Sequence, residues 1–194
     1  MKIIESLDLV YEKESLLKSR FNIHKSHVMA ALDGVHSAIE WLKTSIYRSV
    51  LSDVSFYITD EPINFPGELM IHEKVEFQPV IYLNIMTIAE DYQNEEYLLE
   101  VKKKDISCFE YAAFVLLHEF GHLIHGLIGG NGKKQRDRLF DYFDRGEYYY
   151  TRFIQTMNKG ETYEEKKRYR NIPHEKAADR FARQNLKIMM EHYK

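Results

Sequence analysis

Apolar and polar positions follow several rhythms along this chain. Over residues 25–50, Val28, Ala31, Leu32, Val35, Ile39, Leu42 and Ile46 recur at steps of three and four, the period of an amphipathic helix, and predict a long core helix. Apolar residues then alternate or cluster in shorter runs at 54–59, 68–76 and 80–85, set off by Pro62, Pro66 and Pro79, which predicts two or three mostly antiparallel strands. From 105 to 130 the chain reads DISCFEYAAFVLLHEFGHLIHGLIGG. Ser107 and Glu110 have capping-box spacing at its start and Gly129-Gly130 form a stop signal, so one helix buried on most of its surface is expected. Residues 133–170 are rich in charge and tyrosine and predict two or three short helices broken near Gly146 and Gly160. Asn171 and Pro173 open a last helix, in which Ala178, Phe181, Ala182, Leu186 and Met189 recur at helical spacing. The expected fold class is α+β: one mainly helical domain over residues 1–194 with a small, mostly antiparallel sheet, and 133–170 inserted between two motif helices.

The chemistry concentrates in the most apolar of these segments. His118-Glu119-Phe120-Gly121-His122 is an HExxH motif, which sets two imidazoles on one helix face about one turn apart, close enough to share a metal ion. Glu119 then lies beside the ion, placed to act as a general base. Every residue flanking the motif from Val115 to Ile124 is uncharged. Burying these polar groups without partners would cost about 1–3 kcal/mol each, which a bound ion offsets. The alternative is a pair of core histidines satisfied by backbone carbonyls, with the glutamate paired to an arginine.

Geometry sorts the candidates for a third ligand. His125 lies seven residues beyond His118, roughly 10 Å along the axis, too far for one ion to hold both. Cys108 lies farther still and reads as a small core residue. Ile128 occupies the position where HExxHxxGxxH needs its last histidine. Glu175 and Asp179, four apart on the final helix with alanines beside them, remain. Glu175 reads as the third ligand, and Asp179 as the acceptor of a hydrogen bond from the non-coordinating nitrogen of a ligand histidine. Against this stands the reading of both acids as solvated charges paired with Arg183 or Lys176.

HEFGH followed downstream by E-x-x-A-D-x-F-A (Glu175, Ala178, Asp179, Phe181, Ala182) resembles the gluzincin metallopeptidases, in particular the ImmA/IrrE-like cytoplasmic zinc peptidases of bacteria and mobile elements. The resemblance covers about the last ninety residues. It implies a zincin-like domain with His118, His122 and Glu175 on one zinc ion, Glu119 as base and Asp179 behind a histidine. It also implies a peptide or protein substrate, with a transcriptional repressor as one candidate, aligned along a strand at the edge of the cleft. The connector between His122 and Glu175 is longer than the compact members lead one to expect.

The remaining features set bounds. At 194 residues, with 44% hydrophobic and 13% aromatic content, the chain is long and apolar enough to bury a core. A formal net charge of −3 gives no nucleic-acid footprint, and no apolar run of membrane-spanning length is expected. A single cysteine excludes an internal disulfide, and the acidic, interrupted N-terminus is unlike a signal peptide, so a cytoplasmic location is expected. His24, His27 and His36 read as surface or satisfied core groups. His174 and the cluster Tyr148, Tyr149 and Tyr150 are candidates for oxyanion or substrate contacts. A zinc peptidase is therefore the leading expectation. A zinc-containing regulatory or partner-binding module with little turnover, and a hydrolase of small amides, are the alternatives.

Overall fold

The structure, a computed structural model, describes residues 1–61, 65–72, 78–95, 105–158 and 162–193. Strand β1 (Lys2–Ser6) leads through a short turn into helices α1 (Glu14–Phe21) and α2 (Lys25–Thr44). Strands β2 (Ser55–Thr59), β3 (Gly67–His72) and β4 (Gln78–Asn84) follow, then helices α3 (Ile85–Asn94), α4 (Cys108–Gly129), α5 (Gln135–Thr156), α6 (Tyr163–Arg170) and α7 (Pro173–His192). The fold is α+β and mainly helical.

The sheet has the order β1-β2-β4-β3 and is mixed, which corrects the expectation of mostly antiparallel strands. β1 and β2 run parallel, as do β2 and β4, whereas β3 is antiparallel to β4. The connection explains the direction. Between β1 and β2 the chain passes through α1 and α2, and such a helical crossover returns it to the same end of the sheet. From β2 to β3 and again to β4 it reverses twice, which leaves β2 and β4 codirectional. Pro79 lies inside β4, opposite Ile71, one residue from the strand start, where the missing N–H is tolerated. Residues 73–76 of the second expected strand lie outside the described residues, as does Gly160.

Phe56, Ile58, Ile81 and Leu83 alternate onto the inner face of the sheet and are fully buried there. They belong to the core that forms around α4, which packs against α2, α3, α5, α7 and the strands β3 and β4. The expected capping box is present: Ser107 Oγ accepts from Glu110 N at 3.2 Å, and the Glu110 carboxylate accepts from Ser107 N at 2.7 Å. Contrary to the expectation, α4 is long and apolar enough to cross a membrane by composition alone; 78% of its most apolar window is buried inside the fold. Its apolarity is thus accounted for by the neighbours that bury most of it.

Two glycines let helices approach α4 closely. A Cβ on Gly34 of α2 would lie 2.2 Å from the carbonyl oxygen of Phe109, so only glycine fits that crossing. Gly121, within HEFGH, faces α7, where a Cβ would stand 3.2 Å from Phe181 Cβ and 3.3 Å from Ala178 Cα. That close contact brings the first turn of α7 over the histidines. α2 ends at Thr44, short of residue 50, where Ser45 turns extended and the hydroxyls of Thr44 and Ser45 donate to the carbonyls of Trp41 and Leu42. The expected break at Gly146 does not occur: α5 runs through it, and its Cα faces the ring of His174.

Candidate metal centre

α4 presents His118 and His122 one turn apart on a buried face, and their Nε2 atoms stand 3.1 Å from each other. Across from them, Pro173 at the first position of α7 starts the helix and sets Glu175 in its first turn, where the helix dipole favours an acid. The Glu175 carboxylate reaches both rings, with Oε2 3.3 Å from His118 Nε2 and Oε1 3.5 Å from His122 Nε2. These three residues could hold a metal ion: one donor atom from each lies within 4.8 Å of the others.

The outer nitrogens decide what the inner ones can do. His118 Nδ1 lies 2.9 Å from Asp179 Oδ1, and His122 Nδ1 lies 3.0 Å from the hydroxyl of Tyr142 on α5. With each Nδ1–H donating outward, both Nε2 atoms turn lone pairs toward the same point, which the Glu175 carboxylate also faces. A cation satisfies three acceptors converging there, so the donor set fits a metal ion. Asp179 Oδ1 also accepts from Arg170 Nη2 at 2.6 Å, and Arg170 Nη1 stands 3.8 Å from Glu175 Oε2. The short turn from α6 into α7, closed by Ile172 N on the Tyr169 carbonyl, brings Arg170 there. Asp179 and Glu175 therefore pair with Arg170 and the histidines.

Electrostatics agree with a site for positive charge. Burial works against protonating His118, but Asp179 and Glu175 outweigh it and hold His118 up at about 9. Burial and the neighbouring charge of His118 push His122 down to about 3. Glu175, although buried, is drawn down to about 2 by its hydrogen bond to His118 and by His122. One proton shared at His118 thus occupies the place a metal ion would take. Glu119 is buried beside them, and burial pushes it up to about 7 against the pull of His118. Its Cγ sits 3.0 Å from where a Cβ on Gly67 would be, so β3 runs directly over it.

The centre lies on the wall of a cleft of about 870 Å³ between β3, α4, α5 and the α6–α7 turn. His118, Glu119, His122 and Glu175 all line it, as do His174 and Tyr150. Tyr148 and Tyr149 do not: Tyr148 lies under the guanidinium of Arg152, and the ring of Tyr149 is 6.0 Å from that of His174. His125 Nε2 contacts the Ala177 carbonyl at 3.2 Å and Cys108 Sγ the His27 carbonyl at 3.3 Å, both away from the centre. His24 and His36 pair with Glu14 and Glu5.

Sequence reasoning missed Tyr142, Tyr169 and Arg170. Tyr169 lines the cleft with Glu175, and burial raises the pKa of both tyrosines so that each keeps its hydroxyl proton. The tyrosine-rich composition of 133–170 was the only trace of them. If the Tyr142 hydroxyl orients His122 for a metal ion, Tyr142→Phe keeps the ring contact to His174 and weakens metal binding about tenfold in a chelator competition titration. Unchanged affinity would reduce the phenol to a packing role. Comparison of the chain with protein-family models, curated proteins and solved structures finds no match to any of them.

Proposed function

We propose that the chain is a zinc-dependent endopeptidase of the gluzincin type. The observation that carries this reading is the convergence of two imidazole lone pairs and one carboxylate at the wall of an open cleft, with the buried carboxylate of Glu119 next to them. Two histidines and a glutamate form a donor set that suits zinc, with a fourth position left open. Bound there, the ion would polarise a substrate carbonyl and make water a competent nucleophile at neutral pH.

The residues supply the rest. Glu119 takes a proton from the attacking water as oxygen adds to the carbonyl carbon, then delivers it to the leaving nitrogen as the C–N bond breaks. Asp179 and Tyr142 hold the two imidazoles in the tautomer that points Nε2 inward. Arg170 keeps the Asp179 and Glu175 carboxylates together. β3 is an edge strand with β4 on one side only among the described residues, and Pro66, Gly67, Glu68 and Leu69 border the cleft. An extended peptide could pair along that edge, which gives alignment through the backbone.

Metal removal tests the reading. The purified chain should carry one zinc ion, cleave unstructured casein, lose that activity to a chelator and regain it with zinc. Full zinc content without cleavage, accompanied by tight capture of an intact peptide, would favour a partner-binding module instead.

A further inference from the structure

One face of α5 bears Phe140, Phe143, Tyr150 and Phe153 toward the cleft, at steps of three and seven residues, and Met157 follows at its C-terminal end. On that face, Tyr150 and Phe153 meet Tyr169 of α6: their ring centroids lie 6.4 and 5.7 Å from that of Tyr169, and 6.5 Å from each other. Tyr169 is the link to the metal centre, because it lines the cleft with Glu175 and directly precedes Arg170, whose Nη1 stands 3.8 Å from that carboxylate. The aromatic cluster is therefore adjacent to the reacting position and not at a remote end of the cleft. Tyr150 remains 43% exposed, so its ring is open to a group that enters the cleft.

We propose that Tyr150, Phe153 and Tyr169 form the subsite for a bulky apolar side chain of the substrate, carried by a residue flanking the bond that is cut. This rests on reading the cleft as a peptidase site. Ring faces and edges at this separation offer contact to an aromatic or branched aliphatic side chain, and burying such a side chain removes apolar surface from water on both partners. The charged groups on the same walls have both signs, Asp144 and Glu147 on α5 against Lys166 and Arg170 on α6, and Arg170 is already engaged by Asp179. No single charge is therefore favoured in the subsite, and bulk and apolarity set the choice.

The test uses short blocked alanine-serine peptides that differ at one central residue: Phe, Leu, Ala, Asp or Lys. Two measurements are made, kcat/KM with the zinc-loaded chain and binding by fluorescence anisotropy to zinc-loaded Glu119→Gln, which needs no turnover. The Phe and Leu peptides should exceed the Ala peptide about tenfold or more in both, with Asp and Lys below Ala. Phe153→Ala and the more exposed Tyr150→Ala should each flatten this ranking while zinc content stays at one per chain. A wild-type ranking that favours Ala, Asp or Lys, or a Phe preference unchanged in both variants, overturns the subsite. Cleavage without a bulky preference rejects the subsite and leaves the peptidase standing. Selective binding of the Phe peptide without cleavage by the wild type keeps the subsite and rejects the peptidase. Neither cleavage nor binding of any peptide rejects the subsite as well.

Discussion

Glu119→Gln is expected to keep one metal ion per chain and to lose hydrolysis by about 10²–10⁴-fold, the range that a positioned general base contributes. The carboxamide has the shape of the carboxylate but cannot accept and return a proton. Metal retention follows from geometry, since Glu119 is not among the converging donors, which are His118, His122 and Glu175. The substitution should not cost stability either. Burial already disfavours the charged form of Glu119, and a neutral side chain removes that cost. Metal analysis and peptide hydrolysis on the same preparation read both halves. Loss of the ion would make Glu119 a ligand, and hydrolysis at the wild-type rate would place the base elsewhere.

Glu175→Ala acts on the other half of the centre and should abolish stoichiometric metal binding. Two imidazoles remain on α4, but the carboxylate that faces both Nε2 atoms is gone. α7 itself should survive, because Ala178, Phe181, Ala182 and Met189 are buried in the core and Pro173 still starts the helix. Thermal unfolding separates the two effects. At an ion concentration about 1,000 times its Kd, the wild type gains about 4 kcal/mol by mass action, whereas the variant gains almost nothing. Undiminished one-to-one zinc in Glu175→Ala would remove it as the third ligand.

What could be read from the sequence was local. Ser107 and Glu110, three residues apart, specify their own hydrogen bonds, and α4 begins where they predict. His118 with His122, and Glu175 with Asp179, share helix faces by period alone, and a polar pair among the apolar residues of an apolar helix and of an amphipathic one invites a common partner. The misses are non-local or lack a period. β1 is exposed along nearly its whole length, so it shows no inside–outside alternation, and only its pairing with β2 makes it a strand. The parallel directions follow from where α1 and α2 return the chain. Gly146 looked like a break because glycine costs a helix interior about 1 kcal/mol relative to alanine, but the rest of α5 outweighs that cost. Tyr142 and Arg170 meet His122 and Asp179 across helices, where no spacing rule applies.

By position, α5 and α6 are a detachable insert between two motif helices. The contacts say otherwise, since Tyr142 and Arg170 both come from that stretch and bond, in turn, His122 and Asp179. A chain shortened by joining residue 132 to residue 171 would preserve every letter of HEFGH and of E-x-x-A-D-x-F-A. Its His122 ring would have no hydroxyl to fix its rotation, and its two carboxylates on α7 would repel each other without a guanidinium between them. The motif could be transplanted into another chain as text, but the scaffold that makes it a centre would have to travel with it.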